Sequence, residues 1–184
     1  MVGTLRGGVI GAGVFGGYHS RQYATLPGSR LAAVFDPHAE RAKEVAERHG
    51  GQGFTDLAAF LEAVDVVTVA SPASYHAEGA VAALAAGKPI YVEKPLAISL
   101  EDADKIIAEA ARRKLVVACG HQERVVFQAI GLFDIPEQPL RLEAVRHGPE
   151  SERSLDVSVV LDLMIHDLDL ALALSSGEPL TAEA

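Results

Sequence analysis

Three groups of residues in this chain have types and spacings suited to chemistry. The first is Val9 to Gly17, VIGAGVFGG, where Gly11, Gly13 and Gly16 fall at GxGxxG spacing directly after an apolar run. Gly11 would permit a tight turn, Gly13 would let backbone approach a pyrophosphate, and Gly16 would let the following helix pack closely on the sheet. A helix N-terminus offers free N–H groups and a partial positive charge, so the expected guest is an anion. Asp36 stands twenty positions past Gly16 and ends the next apolar run, Leu31 to Phe35. A carboxylate there accepts hydrogen bonds from both ribose hydroxyls and repels a 2′-phosphate, which favours NAD over NADP. A similar glycine turn with a ribose-binding acid also suits an S-adenosylmethionine methyltransferase.

The second group lies at the ends of later strands: Ser71-Pro72 with His76, and Glu93-Lys94-Pro95. Lys94, pinned between a strand terminus and a proline beside a nicotinamide, would hydrogen-bond a substrate hydroxyl and stabilise the alkoxide that develops as hydride leaves. The alternative is an ordinary solvated lysine at a strand end. The third group is on VVLDLMIHDLDLALAL, where Asp162, His166 and Asp169 are spaced i, i+4 and i+7 and share one stripe of a helix. A helix this apolar is expected to be mostly buried, and a buried acid and imidazole need a cavity or partners. Asp162 would orient His166 and favour its protonated form, which suits a base that takes a proton from a carbinol. The alternative is a polar stripe at a domain seam, with His166 a satisfied core histidine.

The elements that must position these groups follow a regular rhythm. Val14 to Leu26 reads as a helix stopped by Pro27-Gly28, Leu31 to Phe35 as a strand, and Pro37 to His49 as a helix ended by Gly50-Gly51. Thr55 to Ala63 is a short helix and the valine-rich Val64 to Ala70 a buried strand. Ser74 is placed to cap a helix running to Gly87, and Pro89 to Val92 is the next strand. Ser99 and Asp102 form a capping box for a helix to Arg113, and Leu115 to Cys119 closes the series. This alternation gives an α/β fold, a doubly wound parallel Rossmann sheet over residues 1–120 with its ligand crevice at the strands' carboxyl ends. Residues 121–184 read as an incomplete α+β substrate and oligomerisation domain. Glu123 to Phe133 is helical, Leu140 to His147 alternates as a half-exposed strand, and Gly148 to Ser154 is a polar loop. Val157 to Ser176 is a helix closed by Gly177, and Thr181 to Ala184 begins another strand.

Composition sets the outer bounds. The chain has 184 residues, 49% hydrophobic and 22% charged, which is the balance of a soluble globular protein with a real core. A net charge of −9 argues against a nucleic-acid surface but not against a dinucleotide, which needs only local donors. The single cysteine, Cys119, excludes an intramolecular disulfide and a cysteine-rich metal site, and no metal is expected. Without a signal-peptide pattern or a membrane-length apolar run, the expected location is the cytoplasm, with no membrane partner.

GAGVFG, Asp36, the strand-end EKP of Glu93 to Pro95, and DLMIHD of Asp162 to Asp167 together resemble the glucose–fructose oxidoreductase, inositol dehydrogenase and MocA (Gfo/Idh/MocA) family. The resemblance runs over essentially the whole chain. It implies a substrate site lined by Lys94, Asp162 and His166, and a cis peptide bond at Lys94-Pro95. By the same reading, Gly11, Gly13, Val14, Phe15, Gly16 and Asp36 hold the NAD, while Ser71, Pro72, His76 and Glu93 border its ribose and nicotinamide. The implied reaction is hydride transfer from a secondary alcohol of a sugar, polyol or nucleotide sugar. The run DVSVVLDLMIHD looks closest to the branch acting on the 3-hydroxyl of UDP-N-acetylglucosamine. A non-catalytic dinucleotide-binding homologue and an NAD-dependent glycosidase are the alternatives. Family members normally continue for a further antiparallel sheet, so a truncated form that self-associates into a homo-oligomer is expected.

Overall fold

The structure, a computed structural model, describes residues 3–147, 157–175 and 178–183. The chain divides into two compact units, Met1–Gly120 and His121–Ala184. The first unit carries six parallel strands: β1 (Leu5–Ile10), β2 (Ser29–Phe35), β3 (Gln52–Phe54), β4 (Val66–Val69), β5 (Ile90–Val92) and β6 (Val117–Cys119). Their order in the sheet is β3-β2-β1-β4-β5-β6. The helices between them are α1 (Val14–Thr25), α2 (Ala39–Arg48), α3 (Leu57–Glu62), α4 (His76–Ala85) and α5 (Leu100–Arg113). The chain leaves β1 toward one edge and returns at β4 toward the other, so β1 and β4 flank the switch point where this topology opens its crevice.

Side-chain alternation explains why this sheet is covered on both faces. Along β1, Val9 joins one buried cluster with Leu31, Val34 and Val45, while Ile10 joins a second with Phe60, Val67 and Leu84. Runs of valine and isoleucine suit strands with two buried faces, and each such side chain contributes about 1.5–3 kcal/mol when fully buried. Main-chain hydrogen bonds then bring the strand exits level. Gly11 N donates to Phe35 O at 2.8 Å, Ala70 N to Ile10 O at 2.8 Å, and Glu93 N to Val69 O at 2.9 Å. Gly11, Asp36, Ser71 and Lys94 therefore emerge along one rim.

The sequence pattern places these elements correctly except at β3, which it passes over. Gly51 precedes the short run Gln52–Phe54 and Gly53 lies within it, and glycine lowers a strand signal whatever the pairing. The cap of α5 forms as expected at Ser99, whose Oγ accepts from Asp102 N at 3.1 Å and donates to Asp102 Oδ2 at 2.8 Å. Ser74 lies inside a single 3₁₀ turn, Ala73–Tyr75, directly before α4. Outside the carboxyl rim, Arg6 on β1 grips Asp65, the residue before β4, at 2.7 Å.

In the second unit, α6 (Gln122–Ala129) precedes a one-turn 3₁₀ segment, Leu132–Asp134. A wide π-type turn, Val160–Met164, then runs into α7 (Ile165–Leu174). Three expectations fail in this unit. Leu140 to His147 forms no strand, and Leu140 and Val145 are exposed; a strand needs ladder partners, and none faces it among the described residues. The apolar helix is not mostly buried, since Val159, Met164, Leu168 and Leu172 are all exposed and His166 is its buried residue. Thr181 to Glu183 is likewise irregular, while the expected loop Gly148 to Ser154 and the stop at Gly177 lie outside the described residues. Among the described residues, no helix is long and apolar enough to cross a membrane.

The Arg6–Asp65 pair gives a pH-dependent test. The Arg6 guanidinium holds the Asp65 carboxyl down to about 2, below the usual carboxylate value of 3.8. A depressed acid stabilises the fold above its unfolded value, and that contribution is lost as pH falls through the folded one. Both side chains are 39% exposed, so screening keeps the effect small. Asp65→Asn is expected to melt slightly below the wild type at neutral pH, with the gap closing as pH approaches about 2 in thermal denaturation.

Candidate functional site

The turn after β1 is shaped by two contacts that leave no room for a side chain. Gly11 has φ +100°, and a Cβ on it would lie 2.7 Å from Ser71 N. A Cβ on Gly16 would lie 1.8 Å from Gly11 O, so the first turn of α1 rests directly on the exit of β1. Gly13 differs, because a Cβ there would meet nothing within 4 Å. It is the N-cap of α1, with no capping side chain and no acidic residue in the first turn. A helix start without a capping side chain or a first-turn acid leaves its positive end to an anion, which fits the pyrophosphate of a dinucleotide. Val14 and Phe15 stand exposed beside it in that first turn.

Asp36 sits at the end of β2 and is buried. Its Oδ2 accepts from Ala12 N at 2.9 Å, inside the glycine turn, and its Oδ1 accepts from His38 N at 2.9 Å. The ring Nδ1 of His38 lies 3.1 Å from the same Oδ1. Burial pushes the carboxyl up, but the Ala12 and His38 hydrogen bonds together outweigh it and hold Asp36 below the ordinary carboxylate range. The acid is thereby fixed as an anion beside the turn.

At the exits of β4 and β5, two buried side chains tie the loops down. His76 is 1% exposed, with Nδ1 2.7 Å from Pro95 O and Nε2 2.9 Å from Ser71 O. It thus joins the Ser71-Pro72 loop to the carbonyl of Pro95, the residue that follows the cis Lys94–Pro95 bond. Glu93 is buried with its Oε1 2.6 Å from Nε2 of His19, a residue of α1. The His19 ring also lies 5.3 Å from that of Tyr91, whose hydroxyl burial and the nearby Glu93 charge push up to about 12. Lys94 is half-buried between these two anchored neighbours.

His19 and His38 are functional candidates that the sequence alone did not single out. His19 follows Gly16 by three positions, so it shares the helix face that glycine packing turns toward the sheet. His38 follows Asp36 by two, the offset at which an aspartate accepts from backbone in an Asx turn.

In the second unit, Asp162 lies in the wide turn and His166 in the first turn of α7, so the two are not joined by regular α-helical spacing. His166 is buried, with Nδ1 3.9 Å from Glu123 Oε1 on α6. Arg146 binds Glu123 at 2.8 Å and Asp167 at 2.7 Å, and holds the Asp167 carboxyl below its usual range. Asp169, the third member of the stripe, is paired with Arg124 through two bonds of 2.7 Å. Among the described residues, no group of three or more His, Cys, Asp or Glu is arranged to hold a metal ion.

Residues 5–121 match the model of an oxidoreductase family with an NAD-binding Rossmann fold, Gfo/Idh/MocA. The chain belongs to this family. A UDP-N-acetylglucosamine 3-dehydrogenase from Acidithiobacillus ferrooxidans is 43% identical over 182 residues, which are 98% of this chain and 57% of that protein. The solved structure of that enzyme matches with a TM-score of 0.89, over 96% of this chain and 58% of the other. An inositol 2-dehydrogenase from Paracoccus denitrificans is 34% identical over 178 residues, 91% of this chain and 53% of its own. GenD2 from gentamicin A biosynthesis, solved in complex with NAD, matches at 28% identity and a TM-score of 0.78, over 95% of this chain and 54% of that one. This Gfo/Idh/MocA chain therefore spans just over half the length of the relatives it matches.

The glycine contacts separate fold from binding. In thermal denaturation, Gly16→Ala is expected to cost about 3 kcal/mol or more, because backbone must move to admit the methyl group. Gly13→Ala is expected to stay within about 1 kcal/mol of the wild type, since its site is open and its φ of −80° suits alanine.

Proposed function

We propose that this chain carries the cofactor-binding lobe and the histidine helix of an NAD-dependent dehydrogenase acting on a nucleotide sugar, with the 3-hydroxyl of UDP-N-acetylglucosamine as the reacting alcohol. The observation that carries this reading is the 43% identity to a UDP-N-acetylglucosamine 3-dehydrogenase, which extends over 98% of the chain and so spans both the glycine turn and α7. Bound NAD supplies the hydride acceptor. Gly11, Gly13 and Gly16, with Val14 and Phe15, receive the dinucleotide at the start of α1, and Asp36 accepts from its ribose. Ser71, Pro72, His76 and Glu93 shape the rim beside the nicotinamide, the last two by anchoring loops. Lys94 donates a hydrogen bond to the sugar oxygen and stabilises the alkoxide, His166 takes the hydroxyl proton, and Asp162 orients the imidazole. The carbinol carbon loses a hydride and becomes a ketone.

The test is reduction of NAD by UDP-N-acetylglucosamine, followed by nicotinamide absorbance, with inositol and glucose as competing substrates. Lys94→Ala and His166→Ala are each expected to lower kcat/KM by roughly a hundredfold or more while NAD affinity is kept. NAD binding without reduction by any sugar would instead favour a dinucleotide-binding protein that does not turn over. Asp36→Ala is expected to erase the preference for NAD over NADP; an unchanged preference would refute its role.

The exposed apolar side chains of α6 and α7, including Val125 at 72% and Val126 at 56%, further support self-association. Light scattering is expected to report species larger than a monomer whose share grows with concentration. A monomer at all concentrations would count against it.

A further inference from the structure

Glu93 directly follows β5 and precedes Lys94, and its buried side chain is met from three directions. Nε2 of His19, on α1, donates to Oε1 at 2.6 Å, the ring supplying the hydrogen because a carboxylate only accepts. The hydroxyl of Tyr91 hydrogen-bonds the same side chain from within β5. The backbone of Gly120 closes the third side, where a Cβ would lie 2.9 Å from Oε2 and 2.8 Å from the Tyr91 hydroxyl oxygen. Tyr91 belongs to the strand that Glu93 leaves, so it cannot fix that strand's exit to another element. His19 does. It lies six residues past Gly13, about 9 Å of helix rise, so the helix that begins at the glycine turn also reaches the exit of β5. On the other side of Lys94, Nδ1 of His76, at the start of α4, is 2.7 Å from Pro95 O. The main chain at Lys94 is thus held between α1 and α4.

Resting on the reading of Lys94 as the residue that meets the reacting oxygen, we propose that His19 is a positioning residue, which through Glu93 sets where Lys94 stands relative to the dinucleotide-binding start of α1. Without the imidazole, the exit of β5 keeps its ladder bond from Glu93 N to Val69 O at 2.9 Å but loses its tether to α1. A misplacement of about 1 Å in a group that must align with reacting atoms costs roughly a hundredfold in rate. The glycine turn and Asp36 do not depend on that tether, so dinucleotide affinity is kept.

His19→Leu keeps bulk and removes the donor, whereas His19→Gln offers an N–H at about the reach of the ring Nε2. In the full chain with NAD and UDP-N-acetylglucosamine, His19→Leu is expected to lower kcat about a hundredfold, and His19→Gln to regain about tenfold of that loss. The Kd for NAD by titration calorimetry is expected to stay within about twofold in both. Isotopic labelling of lysine nitrogen, read by NMR, needs no turnover. The Lys94 amide signal, assigned by its absence in Lys94→Arg, is expected to move in His19→Leu and return in His19→Gln. Lys43, Lys88, Lys105 and Lys114 are expected to stay in place and report an intact fold. Should His19→Leu not fold, His19→Asn, whose amide is too short to reach Glu93, takes its place. A Lys94 signal left unmoved by His19→Leu, or a loss of kcat that His19→Gln does not repair, would overturn the inference. A wild type that binds NAD and reduces it with no sugar would remove the catalytic reading of Lys94 instead, and the amide signal alone would then decide whether His19 places it.

Discussion

The approach of Gly16 to the carbonyl of Gly11 is the contact on which the site depends. With 1.8 Å between that oxygen and the place a Cβ would occupy, α1 begins over the exit of β1 and nowhere else. This fixes the positive end of the helix at the switch point between β1 and β4, with the open face of Gly13 beside it. Asp36 is then drawn to the same turn by Ala12 N, so the helix start and the carboxylate are held by one another.

The outer rim is built on a different principle. Glycines shape the β1 exit by what they lack, whereas the β4 and β5 exits are held by buried polar side chains. His76 fastens the Ser71 and Pro95 carbonyls, and Glu93 reaches across to His19 on α1. Lys94 sits between two residues whose neighbours are committed to the interior. A buried polar group is costly unless satisfied, so each of these contacts constrains its loop more tightly than an exposed bond would.

Much of this was legible in the sequence. Periodic apolar runs punctuated by Gly and Pro marked the elements of the first unit, and the GxGxxG spacing with Asp36 marked the crevice. The three-residue edge strand β3 was not legible, because its flanking and internal glycines erased its propensity while pairing with β2 supplied its order. His19 and His38 were not legible either, since their importance comes from what folding brings opposite them. In the second unit, the alternation of Leu140 to His147 suggested a strand, but alternation specifies a face, not a partner. Asp169 of the stripe is engaged by Arg124, and Asp167 beside it by Arg146, cations that periodicity does not bring into view.

The double contact of His76 has a further implication. Both of its neighbours are carbonyl oxygens, and a neutral imidazole has one hydrogen to give. In that form the tether can satisfy the Ser71 loop or the Pro95 loop, and the choice is a choice of tautomer. A neutral ring would thus give two segments that border the same crevice one hydrogen between them, and a doubly protonated ring would give each its own.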